Sequence, residues 1–259
     1  MLKYIFLLDN QVKHIEEKLL AILEQAGAML LDFFVQDVIV TKKSDGSQVT
    51  NADLAVNDFI IKELKKISDT PIISEEQDSE LNKKYMSASE FWLLDPLDGT
   101  SAFIKKTEEF AIALAYIKNN KAEFGYIHIP FAKTSYYSNY QGAFAWQDNC
   151  TKIIKTNKKS KNMHLIASKR MQHNKLFKEF QDNLSIDKIS FFSSALKFCK
   201  IASGEAQIFP YFSHTMEWDS AAGDAIIHAA GGSVLDLSGK RLLYGLNEDF
   251  INPYFIAKA

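Results

Sequence analysis

The acidic turn from Asp95 to Thr100, DPLDGT, carries the residue types best suited to chemistry in this 259-residue sequence. The apolar run from Phe91 to Leu94 predicts a strand that delivers Asp95, and Asp98 follows three residues later. Two carboxylates that leave one strand end together are hard oxygen ligands, which suit Mg²⁺ or Mn²⁺. The carbonyl oxygen of Leu97 lies between them and is a natural third ligand. The turn therefore predicts a divalent-metal site.

The same turn has the features of an anion-binding site. Pro96 fixes the backbone ahead of Asp98, and Gly99 lets the chain turn into a short helix. The N–H groups of Gly99, Thr100 and Ser101 would then face one point, as they do at helix N-termini that bind phosphate. The alternative is an acidic turn that only caps a helix, and the turn alone does not decide between the two.

Three further motifs place carboxylates at the ends of predicted elements. Glu75 and Glu76 follow the apolar run in PIIS, and Asp53 opens a predicted helix next to Thr50 in VTNAD. Asp219 stands at the start of an Ala-rich helix. Each of these alone is more simply a helix cap or a charge favourable to the helix dipole. Together they favour a metal site at the DPLDGT turn.

Spacing disfavours two other kinds of site. Haloacid-dehalogenase phosphatases use DxDxT, with the second Asp two residues after the nucleophile, whereas Asp98 lies three residues after Asp95. No covalent aspartyl-phosphate is therefore expected. The six histidines form no HExxH motif or close pair, so no zinc site is expected either.

Two helices are predicted ahead of this turn. From His14 to Phe34, apolar residues recur at spacings of three and four, which predicts an amphipathic helix buried through Ile15, Leu19, Ile22, Leu23, Ala26, Leu30 and Phe33. The polar stretch from Lys42 to Asn51 predicts a loop. A second helix is expected from Ala52 to Ile67, and its predicted buried side comprises Leu54, Phe59, Ile60, Leu64 and Ile67.

The rest of the chain divides into two regions with different sequence patterns. From Phe91 to Trp146, short aromatic and β-branched runs predict a meander of antiparallel strands. The polar, basic stretch from Thr151 to Asn162 favours a domain boundary, with an N-terminal α+β domain over 1–150 and a C-terminal α/β domain over 151–259. In the second part, strand-like and helical segments alternate. The predicted fold class is thus α+β followed by α/β.

Composition excludes some partners. The net charge is −2 and the pI about 6.3, so neither nucleic acid nor an anionic membrane surface is an expected partner. The two cysteines form no disulfide framework, and the N-terminal apolar run is too short for a signal peptide. A cytoplasmic location is expected, with peripheral association with the inner membrane left open, as is a homodimer.

The motifs VTNAD, SEE, DPLDGT and WDSAAG occur in the order typical of the inositol monophosphatase superfamily, which this sequence resembles from the first helix almost to the C-terminus. The resemblance implies the layered α/β/α/β/α sugar-phosphatase fold. It also implies a lithium-sensitive phosphatase that uses two or three Mg²⁺ ions.

The resemblance also assigns roles by matching position. Glu75, Asp95 and the Leu97 carbonyl would hold one ion, while Asp95, Asp98 and Asp219 would hold a second. Thr100 with Glu75 would orient the attacking water, and Asp53 would support this network or a further ion. The substrate phosphate is expected against five of the matched positions, namely Leu97, Asp98, Gly99, Thr100 and Asp219.

Within the superfamily, the closest resemblance is to the bacterial CysQ-type 3'(2'),5'-bisphosphate nucleotidases. In that group a Ser three residues before a Lys contacts the nucleotide, and Ser194 and Lys197 match that spacing here. The implied reaction converts adenosine 3',5'-bisphosphate to AMP and phosphate. Tyr211 departs from the pattern because the group usually has an Arg there, and Glu217 and Asp224 are additional acidic residues. Two alternatives stay open: an inositol monophosphatase or fructose-1,6-bisphosphatase, and a non-catalytic metal-dependent binding protein.

Overall fold

The structure is a computed structural model that describes residues 2–43, 46–158 and 162–259, with side chains from residue 14 onward. Residues 44 and 45 of the polar loop, and 159–161 of the predicted boundary, lie outside the described residues. Among the residues that are described, none of the helices combines the length and apolar character needed to span a bilayer.

Two N-terminal helices pack together against one sheet. Helix α1 spans Leu2–Phe34 and α2 spans Asn51–Leu64, so both predicted helices are confirmed. Two of the predicted buried residues are exposed. Ile15 is 43% exposed because it lies one turn before the buried stripe begins, and Leu54 is 47% exposed because the buried stripe of α2 instead follows Val56, Ile60 and Leu64.

The predicted loop before α2 is a β-hairpin. Strand β1, Val40–Lys42, pairs antiparallel with β2, Gln48–Thr50. Thr50 then serves as the N-cap of α2, where its hydroxyl accepts hydrogen bonds from backbone N–H groups of the first turn. The loop prediction was wrong because strands of three residues are too short to show an alternating pattern.

A seven-stranded sheet carries the predicted meander. Its strands in spatial order are β3 (Ile72–Ser74), β4 (Glu90–Asp98), β5 (Ala111–Lys118), β6 (Lys121–Ile129), β7 (Thr134–Asn139), β8 (Gly142–Gln147) and β9 (Cys150–Ile154). Only the β3–β4 pair is parallel within it, which confirms the antiparallel meander from β4 onward. Helix α3 (Ser79–Tyr85) links β3 to β4, and α4 (Thr100–Ile104) follows β4.

A five-stranded sheet forms the second half. In spatial order its strands are β11 (Lys188–Phe192), β10 (His164–Ser168), β12 (Ile208–Tyr211), β14 (Phe255–Lys258) and β13 (Ser233–Asp236). Strands β11, β10 and β12 are parallel, so their carboxyl ends lie at one edge. A 3₁₀ helix (Lys169–His173) and α5 (Lys175–Asp182) follow β10, α6 (Leu196–Ala202) follows β11, and α7 (Glu217–Ala229) follows β12. The predicted division after residue 150 falls inside β9.

The elements stack in five layers. One apolar cluster joins α1 and α2 to the seven-stranded sheet, and a second joins the other face of that sheet, through α6 and α7, to the five-stranded sheet. A third cluster packs α5 and the 3₁₀ helix on the outer face of the five-stranded sheet. Along β4, Phe91 and Leu93 face the central layer while Trp92 and Leu94 face α1 and α2. The α/β/α/β/α prediction is confirmed.

Helix α7 lies unusually close to its neighbours in the central layer. A Cβ atom at Gly125 of β6 would lie 2.1 Å from the carbonyl oxygen of Ala222, and one at Gly223 would lie 2.1 Å from the Phe198 ring. Two glycines thus permit the contact that sets where α7, and with it Asp219, lies relative to the seven-stranded sheet.

Candidate active site

Three of the predicted metal ligands meet at one point. Glu75 follows β3, Asp95 lies in β4 and Asp219 lies in the first turn of α7, and each offers an oxygen within 4.8 Å of the others. Glu75 and Asp95 are neighbours because β3 and β4 run parallel, with Ser74 opposite Leu94. The Glu75 N–H donates to the Leu94 carbonyl at 3.1 Å and continues this pairing.

The backbone shape of the turn places Asp98 beside this cluster. The β4–β5 register shifts between Asp95 and Asp98, and the Asp95 carboxylate accepts a hydrogen bond from the Leu97 N–H at 3.0 Å. Gly99 follows with φ of 100°, in the left-handed region, and a Cβ there would lie 2.9 Å from the Glu109 carbonyl oxygen. The Asp98 carboxylate accepts a hydrogen bond from the Ala195 N–H and so connects the turn to the second half of the chain.

Asp53 and Thr100 are also brought together. The buried Asp53 carboxylate accepts hydrogen bonds from the N–H and hydroxyl of Thr50, while the Thr100 hydroxyl lies 3.2 Å from the other Asp53 oxygen. The Thr100 hydroxyl is also 3.2 Å from the Leu97 carbonyl oxygen. The helix cap of α2 and the DPLDGT turn therefore share one hydrogen-bond network.

Asp219 is oriented by its own helix terminus. Its carboxylate accepts from the Thr215 hydroxyl at 2.6 Å and from the Met216 N–H at 2.8 Å. Because Met216 is the N-cap of α7, these bonds are the helix-capping interactions expected from sequence. They engage one carboxylate oxygen, Oδ2.

Burial is the main influence on the pKa of these carboxylates, and repulsion between neighbours adds to it for Glu75, Asp95 and Asp98. Burial raises the pKa of Glu75 to about 8, with Asp219 adding to the rise and Lys43 opposing it. Burial and Asp219 raise the pKa of Asp98 to about 7. Burial also raises the pKa of Asp219, and it raises that of Asp95 well above its usual range. Such a group of buried anions is stabilised by added positive charge.

These residues fit magnesium. The donor set consists of hard oxygens, namely carboxylates together with the neighbouring Leu97 carbonyl, and no soft sulfur or imidazole ligand appears in the cluster found among the described residues. Burial and the neighbouring carboxylates raise the pKa of Glu75 and Asp95, which is the direction expected of a site that favours added positive charge. A divalent ion would resolve both the repulsion and the burial of charge.

Lys43 contacts the cluster, although no role was predicted for it. Its ammonium group lies 3.0 Å from Glu75 and 2.7 Å from Glu76. Lys43 follows β1 and reaches the site because the hairpin replaces the predicted loop. Glu76 is thereby placed beside the cluster, paired with Lys43.

Ser194 and Lys197 lie next to the turn, with Ser194 just before α6 and Lys197 within it. Ser194 precedes α6 and has φ of 55°, and its Cβ would be 3.3 Å from a Cβ at Gly99. The buried Lys197 amine donates to the Ser194 carbonyl at 2.5 Å. Burial lowers the pKa of Lys197 to about 8, although Asp98 and Asp219 act in the opposite direction.

Tyr211 lies near Asp98 and Asp219 and has a neighbour that the motifs did not predict. Burial raises the pKa of the Tyr211 hydroxyl to about 12, and the nearby guanidinium of Arg170, in the 3₁₀ helix, opposes that rise. The guanidinium also interacts electrostatically with Asp98, Asp219 and Lys197. The one sequence signal for Arg170 was its place just after the strand-like segment HLIAS.

The two additional acidic residues of α7 serve the fold. The buried Glu217 accepts a hydrogen bond from the Gly245 N–H at 2.6 Å. Asp224 pairs with Arg241 at 3.2 Å and lies 3.3 Å from the Tyr244 hydroxyl. Both therefore anchor the C-terminal segment to α7 and do not belong to the Glu75–Asp95–Asp219 cluster.

The layered fold and the carboxylate cluster are those of a metal-dependent phosphatase. The model of the inositol monophosphatase family matches residues 11–257, and the chain belongs to this family. A CysQ 3'(2'),5'-bisphosphate nucleotidase of Salmonella typhimurium is 36% identical over 83% of this chain and 86% of its own length. The CysQ 3'(2'),5'-bisphosphate nucleotidase of Buchnera aphidicola is 35% identical over 97% of this chain and 96% of its own length. The crystal structure of CysQ from Bacteroides thetaiotaomicron is 27% identical, with a TM-score of 0.77 over 92% of this chain and 94% of its own.

Proposed function

We propose that the chain is a magnesium-dependent 3'(2'),5'-bisphosphate nucleotidase that converts adenosine 3',5'-bisphosphate to AMP and inorganic phosphate. The cluster of Glu75, Asp95 and Asp219 is the observation that carries the reaction type. The substrate is supported by the name shared by relatives that are 36% and 35% identical over most of this chain.

Two groups of residues would hold the metal ions. Glu75, Asp95 and the Leu97 carbonyl hold one Mg²⁺ ion, and Asp95, Asp98 and Asp219 hold a second. Magnesium at this site supplies an activated water and neutralises charge on the phosphate and the leaving oxygen. In Asp219, Oδ2 accepts the hydrogen bonds that cap α7, and Oδ1 is the oxygen left to bind the ion.

Thr100 and Asp53 act on the attacking water. When the Thr100 hydroxyl donates toward Asp53 at 3.2 Å, its oxygen lone pairs are free to accept a hydrogen bond from water. Burial raises the pKa of Asp53, so this carboxylate is suited to receive the proton that the water releases through Thr100. Glu75, within the cluster, orients the same water together with Thr100. Asp53 would therefore support this water network or, alternatively, hold a further ion.

The substrate phosphate lies between the turn and the start of α6. The backbone N–H groups at Gly99 and Thr100 and the buried Lys197 amine supply positive charge to its oxygens. Ser194 has a left-handed backbone and lies against Gly99, which sets its hydroxyl at the side of the same pocket.

Phosphate release from a panel of esters tests the function. Adenosine 3',5'-bisphosphate, inositol 1-phosphate and fructose 1,6-bisphosphate are compared with Mg²⁺, with Mg²⁺ and Li⁺, and with EDTA. The proposal expects magnesium-dependent, lithium-sensitive turnover that is fastest on the nucleotide. Turnover of the nucleotide no faster than that of inositol 1-phosphate would overturn the substrate assignment, and an absence of turnover on every ester would favour a metal-dependent binding protein.

A further inference from the structure

Arginine is scarce in this chain, with Arg170 and Arg241 as its two arginines. Arg241 is committed to the fold, since its guanidinium pairs with Asp224 at 3.2 Å and donates to the Ala122 carbonyl at 2.7 Å. Arg170 is exposed, and its guanidinium interacts electrostatically with Tyr211, Asp98 and Asp219 at the candidate active site. One of the two guanidinium groups is therefore accessible to a ligand at this pocket.

The position of Arg170 follows from the topology of the five-stranded sheet. Strands β11, β10 and β12 are parallel neighbours, and they end at Phe192, Ser168 and Tyr211. The segments that follow the first two of these strands contain Ser194 and Arg170. Carboxyl ends of parallel strands form the ligand crevice of open α/β sheets.

Additional contacts hold the 3₁₀ helix against the pocket. The Lys169 ammonium pairs with Glu109 at 2.8 Å, and the same Glu109 oxygen accepts from the Ser193 N–H at 2.8 Å. Glu109 is in turn next to Gly99, whose Cβ would lie 2.9 Å from its carbonyl oxygen. The segment bearing Arg170 is thus tied through the Glu109 carboxylate to the Ser194 segment, and the backbone of Glu109 lies against the DPLDGT turn.

Lys197 and Arg170 provide two cations at different depths. Lys197 is 6% exposed and interacts electrostatically with Asp98 and Asp219, whereas Arg170 is exposed and interacts with Tyr211. A ligand with one phosphate at the carboxylate cluster and a second phosphate farther out would meet both. A guanidinium binds a phosphate through two parallel hydrogen bonds, which a single hydroxyl such as that of Tyr211 does not provide.

We infer that Arg170 binds the phosphate that is not hydrolysed, with Tyr211 orienting its guanidinium, and so makes the enzyme prefer bisphosphorylated over monophosphorylated nucleotides. This inference rests on the proposed function. It gives the chain a guanidinium in the substrate pocket although position 211 is a tyrosine, and it assigns Tyr211 a positioning role.

The test compares adenosine 3',5'-bisphosphate with adenosine 3'-monophosphate, which lacks the second phosphate. The measured quantity is the ratio of kcat/KM for the two substrates in wild type, Arg170→Ala, Arg170→Lys and the control Lys175→Ala, which removes an exposed cation on α5. We expect Arg170→Ala to lower this ratio by about 10- to 100-fold, mainly through a higher KM for the bisphosphate, as for loss of one charge-assisted hydrogen-bonded pair. Arg170→Lys should retain part of the ratio, and Lys175→Ala all of it.

The outcomes separate the two proposals. A wild-type enzyme that prefers the bisphosphate and keeps that preference in Arg170→Ala would overturn the role of Arg170 and leave the proposed function standing. Equal losses on both substrates would likewise overturn it, because they would place Arg170 at the hydrolysed phosphate. A wild-type enzyme without any preference for the bisphosphate would overturn the proposed function and this inference together. Thermal melting of each variant checks that the exposed substitutions leave the fold intact.

Discussion

Glu75, Asp95 and Asp219 converge from the seven-stranded sheet and α7, whereas Ser194, Arg170 and Tyr211 converge at the edge of the five-stranded sheet. The first group, which we call the metal side, is held by hydrogen bonds between neighbouring strands and by the N-terminal cap of α7. The second, the substrate side, rises from segments that follow parallel strands. The metal side holds the carboxylates proposed for the reaction, while the substrate side has Tyr211 where the resembled group usually has an Arg. The division predicts effects on kcat at the metal side and on KM at the substrate side.

The largest effect is expected for Asp95→Asn, which removes a charge shared by both proposed ion sites. The amide keeps the oxygen that accepts from the Leu97 N–H, so the turn should remain folded. We expect kcat to fall on the order of a thousandfold or more in phosphate-release assays with Mg²⁺. Asp37→Asn, at an exposed aspartate, is the matched control. Retention of a tenth of wild-type kcat would place Asp95 outside the reaction.

A smaller effect on kcat is expected for Thr100→Ala, because the hydroxyl that lies between Asp53 and the proposed water is lost. The predicted loss is on the order of a hundredfold, typical of an acid–base contribution. Thr50→Ala is the comparison, since Thr50 bonds the same carboxylate but also caps α2. That variant should lose about 1 kcal/mol of the free energy of unfolding, measured by urea titration, and less activity. Equal kcat values for the two variants would remove the distinction between water positioning and capping.

On the substrate side, Lys197→Met should lower kcat/KM for the bisphosphate by about 10- to 100-fold, as for one lost hydrogen bond to a charged group. Methionine fills a similar volume against Phe209, over whose ring the ammonium lies at 5.4 Å. Lys200→Met, in the same helix and paired with Glu205 at 2.9 Å, is the matched control. If Lys197→Met were to reduce kcat as much as Asp95→Asn, the division between the two sides would fail.

The last prediction concerns the pH dependence of stability. Burial raises the pKa of Glu75 from 4.5 to about 8 and that of Asp98 from 3.8 to about 7, so in EDTA the folded chain binds protons that the unfolded chain has released. The free energy of unfolding should therefore fall between about pH 4.5 and 8, by up to about 1.4 kcal/mol per pH unit for each such proton. Thermal melting in EDTA should give a lower Tm at pH 8 than at pH 6.

Magnesium and one variant sharpen that experiment. Since Mg²⁺ competes with these protons, the stabilisation it gives should be larger at pH 8 than at pH 6. Glu75→Gln removes one of the titrating groups and should weaken the pH dependence in EDTA. A Tm in EDTA that is the same at both pH values would contradict the assignment of a metal-free, mutually repelling cluster.

The metal side was predictable because each of its residues adjoins a recognisable element. Asp95 and Glu75 follow apolar strands, Asp219 lies in a capped helix, and Asp53 forms a capping box with Thr50. These are local signals that lie within a few residues of each side chain. The helices and the antiparallel meander were predictable for the same reason.

The substrate side was less predictable because its geometry is non-local. Arg170 meets Tyr211 only because β10 and β12 are parallel neighbours, and no local spacing encodes that pairing.

Two features outside the substrate side were missed for related reasons. Lys43 reaches Glu75 through a hairpin whose strands have three residues each. The exposure of Leu54 depends on which face of α2 meets α1, which the mixed apolar pattern of that helix leaves open.

The close approach of α7 to β6 and α6 affects how genetic data on this chain should be interpreted. Any side chain at Gly125 or Gly223 would collide with Ala222 or Phe198, so a mutational scan scored by enzyme activity in cells would find these positions as intolerant as Asp95. The causes differ, since the glycine variants would lose protein abundance while Asp95→Asn would leave an abundant but inactive protein. Measuring abundance alongside activity would therefore separate the residues of the WDSAAG motif that assemble the enzyme from Asp219, which acts in it.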